Sequence, residues 1–165
     1  MPLSADSVRL HLDYSSWASQ RLLDAAAKLS EEELARDFKT SDKSVAGTLA
    51  HAFAADRIWL ERIQGDVRST FISDADRHLP TLSHEWPALA KRWKDWAANL
   101  SDRDLLEVKT YKTLNGDPYE TPLWQIVLHV VNHATHHRGQ VSGFIRAMGY
   151  APPQLDMIAY YRTLA

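Results

Sequence analysis

Apolar residues recur at spacings of three and four over four long segments of this chain, with polar residues filling the opposite faces. That is the period of an amphipathic helix, and it predicts an all-α fold. The first segment runs from about Asp6 to Leu29. At roughly 100° per residue, Val8, His11, Tyr14, Ser15, Ala18, Leu22, Ala25 and Leu29 fall on one side. Ser30 with Glu33 reads as a capping box that opens a short helical turn, closed by Phe38 and Lys39-Thr40. The second segment spans about Ser44 to Gln64, after the N-cap candidates Ser41, Asp42 and Ser44, and stops at Gly65. Its inward side holds Val45, Leu49, Ala52, Trp59 and Ile63. A third helix is predicted from about His84 to Leu100, with Pro80 and the cap candidate Ser83 before it and Pro87 in its first turn. Trp86, Leu89, Trp93 and Trp96 form its stripe.

Shorter, polar and aromatic runs follow. Val108–Thr113 and Tyr119–Thr121, on either side of Asn115-Gly116-Asp117-Pro118, predict a small hairpin. Thr121 is expected to cap a fourth long helix, with Pro122 at its first position, that runs to about Met148 and ends at Gly149. Ala151-Pro152-Pro153 reads as a rigid connector, and Asp156 as the cap of a last short helix through Tyr161. No internal repeat, low-complexity tract or linker interrupts this order. Residues 1–165 are therefore expected to form one four-helix bundle domain, up-and-down or with a crossover connection.

Composition narrows the chemistry. With 165 residues the chain is long enough to bury a core without disulfides, and it has no cysteine to make them. Cys-type zinc modules and cysteine nucleophiles are excluded on the same count. A formal charge of −2 with scattered Lys and Arg gives no basic face for nucleic acid. The amino-terminal Met1–Asp6 stretch has no basic start or apolar run, and no segment approaches the ~20 apolar residues of a membrane span, so a cytoplasmic protein is expected.

Histidine is the unusual feature. There are eight, four of them between Leu128 and Gln140 on the fourth helix. Against the core direction set by Leu123, Ile126, Val127, Val130, Ala134, Val141, Phe144, Ile145 and Met148, His137 lies within ~30° and His133 ~70° away, while His129 and His136 lie beyond ~100°. His133 and His137 thus face inward one turn apart, the spacing with which a helix chelates a metal. On spacing alone, a pair of hydrogen-bonded core histidines is an equal reading, with Asn132 and Gln140 at hand as partners. His51, toward the edge of the second helix's apolar side, is the candidate third ligand. His129 and His136 read as rim residues, His78 as a loop residue and His84 as a helix start. Ala134 stands where a zinc protease would carry its glutamate base, and no Glu-x-x-His motif of a di-iron bundle occurs. Arg138 points away from the core on the same count and reads as a salt-bridging or tail-anchoring residue.

Leu49-Ala50-His51 followed by Asp56 and Trp59, then Asn132-His133-(x3)-His137-Arg138-Gly139-Gln140, then Gly149-(x2)-Pro152-Pro153-(x2)-Asp156, resembles the DinB and YfiT-like superfamily of metal-dependent proteins. The resemblance extends over nearly the whole chain, Tyr14 and Trp17 of the first helix included. It implies a four-helix bundle with a crossover, a divalent zinc or nickel ion on His51, His133 and His137, and a homodimer. It also implies thiol S-transferase chemistry with a low-molecular-weight thiol such as bacillithiol or mycothiol as cosubstrate. That chemistry is physically coherent, because a bound divalent ion lowers the pKa of a coordinating thiol. A hydrolase using an activated water is the alternative, with Asp56 as the candidate catalytic base and His11, Tyr14 and Trp17 as pocket-lining groups. A third reading is a stress-related, metal-stabilised dimeric binding protein without catalysis.

Overall fold

A computed structural model of the chain describes residues 3–67 and 71–165. Of the amino-terminal stretch considered above, Met1 and Pro2 lie outside the described residues.

The helix signals in the sequence act where they stand. Ser4 caps α1 (Ala5–Ala26), its side chain accepting from the Ser7 N–H. Ser30 and Glu33 close the capping box of α2 (Glu31–Ala35) in both directions. Ser44 caps α3 (Val45–Gln64), which ends on Gly65 in the left-handed conformation at φ 73°. That backbone shape is why the chain turns at this glycine.

The third long helix, α4 (Leu79–Ala98), starts five residues before the expected His84, with Pro80 in its first turn. His78 flanks its start, His84 lies within it, and Pro87 is in its interior and not in its first turn. A proline there removes one backbone hydrogen bond. Pro87 and Ser83 are both exposed, so the carbonyl that loses its donor is open to water. Trp86, Leu89 and Trp93 are buried on the other side of the same helix, and that burial sustains it through the proline.

The hairpin forms between β1 (Val108–Lys112) and β2 (Pro118–Pro122), antiparallel, with Tyr111 opposite Tyr119. Thr121 belongs to β2 and does not cap the next helix. Pro122 occupies that flanking position and offers no side-chain cap. The helix, α5 (Leu123–Ala147), begins instead with the Leu123 N–H donating to the Glu107 carbonyl at 2.8 Å. A short α6 (Met157–Tyr161) follows, and Asp156 precedes it without a side-chain cap bond.

The four long helices form the bundle. Helix α1 packs on α4 and α5, and α3 packs on α5 and α4, so consecutive α1 and α3 lie across a diagonal and the chain must cross over between them. One apolar cluster fills the interior, with Leu22, Leu49, Phe53, Leu60, Leu82, Ile126 and Val141 among its most enclosed side chains. Phe38, after α2, stacks on Phe144 at 4.3 Å and anchors the crossing segment to α5. Among the described residues no helix is long and apolar enough to cross a membrane.

Candidate metal centre

The α3–α5 interface brings three histidines to one point. His133 and His137 are one turn apart on α5, and His51 comes from α3. The His51 Nε2 lies 3.2 Å from the His133 Nε2, and the His137 Nε2 lies 3.1 Å from the same atom. All three candidate ligand atoms fall within 4.8 Å of one another. Two Zn–N bonds of ~2.0–2.1 Å at a tetrahedral angle hold their nitrogens ~3.3 Å apart, close to the spacings seen here.

The outer ring nitrogens decide what the inner ones offer. His137 Nδ1–H donates to Gln140 Oε1 at 2.7 Å, and His51 Nδ1 faces Asp42 Oδ1 at 3.5 Å. An imidazole protonated at Nδ1 presents a bare lone pair at Nε2. Two such lone pairs face the His133 Nε2, which can supply at most one proton. Three converging nitrogens with so few protons form a donor set suited to a cation, and the orienting carboxylate and amide are the usual outer partners of metal-bound imidazoles.

Burial acts in the same direction. It pushes the His133 imidazole down to about 4, helped by the neighbouring His137 and His51, and it also lowers His137 against the opposing hydrogen bond to Gln140. Both rings are therefore neutral at pH 7, the state in which a histidine can ligate. Phe71 stands edge-on to the His51 ring at 5.4 Å, covering one side of the cluster.

Asp42 reaches His51 because of the turn before α3. Lys39 and Lys43 adopt φ of 62° and 64°, and the Ser44 N–H closes on the Asp42 carbonyl at 2.7 Å. Gly47 in the first turn of α3 permits this approach, since a methyl there would collide with the Asp42 carbonyl oxygen. In the sequence Asp42 stands out only as a cap candidate. Its partner is nine positions away, around a left-handed turn that no periodicity reveals.

The other candidates lie elsewhere. Asp56 is buried; its Oδ2 accepts from Trp86 Nε1 at 3.3 Å, and its backbone carbonyl accepts from Trp93 Nε1 at 3.2 Å. It lines a cavity of about 20 Å³ with Leu12, Ser15, Trp86 and Trp93, and none of the three histidines lines that space. Desolvation raises its carboxyl to about 7, against the opposing pull of Arg138 and the Trp86 hydrogen bond. Tyr14 donates to the Leu155 carbonyl at 2.9 Å, and with Trp17 it packs on Tyr160. These two hold the carboxy-terminal segment. His11 Nδ1 bonds the Ser7 carbonyl within its own helix at 2.7 Å.

Arg138 overturns the outward placement expected for it. It is buried at 4% exposure, donating to Ser15 Oγ at 2.9 Å and Thr135 Oγ1 at 2.9 Å, with its guanidinium over the Tyr14 ring. Helix α5 is covered by α1 as well as α3, so its buried arc is wider than its apolar stripe. Small serines on α1 make room for the guanidinium.

A four-helix bundle with three imidazole nitrogens converging between two helices, each flanking ring oriented by an amide or carboxylate, defines a class of helical proteins compatible with binding a single metal ion. The chain belongs to the DinB family, whose family model matches residues 1–163. Protein DinB of Bacillus subtilis (strain 168) is 26% identical over 158 residues, covering 90% of each chain. The crystal structure of a DinB-like protein from Bacillus cereus superposes with a TM-score of 0.72 at 18% identity, over 93% of this chain and 99% of that one. The last likeness is one of fold.

Proposed function

We propose that this protein holds one divalent ion, zinc or nickel, on His51, His133 and His137 and uses it for thiol S-transfer to a small electrophile. The observation that carries the reading is the convergence of the three Nε2 atoms, two of them turned inward by Gln140 and Asp42. An ion on three imidazoles would supply Lewis acidity at its remaining position, enough to make a thiol ionise near neutral pH. The chain has no cysteine, so the thiol comes from solution as a cosubstrate. In the reaction its sulfur bonds to the electrophilic carbon, the leaving group departs with the electron pair of the broken bond, and the thiol proton passes to solvent.

The chain's own residues prepare this site. Burial keeps His133 and His137 unprotonated, and Gln140 and Asp42 hold the Nδ1 atoms turned away from the centre. S-transfer is favoured over hydrolysis by the position of Asp56. A hydrolase needs a base beside the activated water. The Asp56 carboxyl instead meets Trp86 in a cavity lined by α1, α3, α4 and α5 side chains other than the histidines. We assign Asp56 to joining α3 and α4.

The test is elemental analysis of wild type beside His51→Ala, followed by thiol consumption with a haloarene in the presence of bacillithiol, mycothiol or glutathione. Wild type should carry one metal per chain and consume one of these thiols, with both properties lost in the variant. A wild type that stays metal-free after reconstitution overturns the site. Turnover that proceeds without thiol overturns the chemistry and restores hydrolysis.

A further inference from the structure

The row of rings at the triad does not stop at the ligands. On α5 the histidines continue by another turn to His129, whose ring lies 5.6 Å from that of His133. His129 meets Trp59 of α3 edge to face at 5.2 Å, Trp59 meets Tyr111 of β1 at 5.0 Å, and Tyr111 stacks on Tyr119 of β2 at 6.3 Å. The result is a continuous aromatic wall from the histidine cluster to the hairpin, built from α3, α5 and both strands. Trp59 and Tyr111 are half-buried and Tyr119 and His129 are exposed, so the wall faces outward along its length.

Arg62 stands on this wall. It follows Trp59 by one helical turn, and its guanidinium lies 4.8 Å from the Trp59 ring centre and 5.4 Å from that of Tyr111. Eleven residues at 100° each return it to within about 20° of His51 around α3. The guanidinium carbon lies against both rings, and among the described residues Arg62 makes no side-chain hydrogen bond. Among the described residues no carboxylate lies within ion-pair distance of Arg62, although Lys109 on β1 of the same hairpin is paired to Glu107 at 2.9 Å. A partly desolvated guanidinium held against two touching rings, with no carboxylate partner among the described residues, carries several coplanar donors, the group that receives a carboxylate or similar oxyanion.

We propose that Trp59, Tyr111 and Arg62 form a binding wall for a small planar molecule that carries an anionic group. Its apolar body lies against Trp59 and Tyr111, and its anion meets the Arg62 guanidinium. Two ring contacts separate Trp59 from His133, so a molecule held here extends toward the triad. That this molecule is the electrophile on which the triad acts rests on the metal reading above. Its binding to the wall does not.

The experiment uses full-length protein stripped of metal with chelator, so that a carboxylate cannot report on the triad, and 2-naphthoate as the probe in isothermal titration calorimetry. Wild type should bind 2-naphthoate saturably, Arg62→Gln should weaken it about tenfold, and Trp59→Leu should weaken both 2-naphthoate and neutral 2-naphthamide. The Arg62→Gln change should leave 2-naphthamide binding within about twofold, because only the anion uses the guanidinium. Absence of saturable binding in metal-free wild type, or equal 2-naphthoate affinity in Arg62→Gln, overturns the proposal. Zinc titration of Arg62→Gln separates the two readings. Normal zinc binding with lost naphthoate binding supports the wall, and naphthoate binding in a wild type that takes up no zinc also supports it while removing the metal centre.

Discussion

Two polar sites flank α5, and they begin on consecutive residues. His137 faces α3 and joins a cluster of like groups, three imidazoles of which two, His137 and His51, have an outer nitrogen held by Gln140 and Asp42. Arg138, roughly 100° further round the helix, faces α1 and joins unlike groups, serine and threonine acceptors and the field of Asp56. The second site satisfies itself. The Arg138 N–H groups meet hydroxyl and carbonyl acceptors, so its role is complete within the fold. The first site is electrically one-sided, with more lone pairs than protons facing its centre, a donor set compatible with a metal ion. Buried polar residues on one helix are told apart by whether their partners complement them, not by how deeply they are buried.

The largest effect expected from this contrast is at His137. In His137→Ala the stoichiometric divalent metal should disappear on elemental analysis, while the unfolding free energy in metal-free buffer falls by no more than about 2 kcal/mol. Full retention of metal would erase the distinction between the two sites. Arg138→Ala should do the reverse. Loss of the charged hydrogen bonds and the cavity left behind should cost about 3 kcal/mol in urea unfolding, with metal still bound to the folded fraction.

Asp56 sharpens the contrast through pH. Its folded-state value of about 7 lies above the ordinary 3.8, so the folded form holds a proton that the unfolded chain releases. Stability from this group is full below pH ~4 and is lost as pH rises to ~7, by a few kcal/mol in order of magnitude. Asp56→Asn should remove that loss, so its stability relative to wild type should rise between pH 5 and pH 8 in urea unfolding. A parallel pH dependence in the two proteins would show that Asp56 stays ionised in the fold. The smallest effect expected is in Gln140→Ala, where freeing the His137 ring should weaken metal binding by about tenfold in competition with a chelator. Unchanged affinity would show that the outer partner does not set the tautomer.

How far the sequence reached depended on the range of the interaction. The α2 capping box, the stop at Gly65 and the Asn115-Gly116 hairpin are local, and each was legible from a few neighbouring residues. The α4 start was misplaced because Pro87 was weighed as a local signal, whereas three buried side chains hold the helix through it. The inward pair His133 and His137 was visible from helical period, and His51 came with the family resemblance and the apolar edge of its helix. Asp42 and the Arg62 wall were not visible, since each depends on a contact between elements that are distant along the chain.

By itself the sequence determined that four amphipathic helices would bury their stripes together, that two histidines would share one helical face, and that no thiol of the protein could take part in chemistry. Those are consequences of period and composition, which need no partner. Tertiary structure decided that consecutive residues on α5 would enter different interfaces, that Gln140 and Asp42 would turn two rings, and that Arg62 would lie against two aromatic rings with no carboxylate partner among the described residues. Such outcomes depend on which helix covers which face, and a hydrophobic stripe records that a face is covered without recording by what.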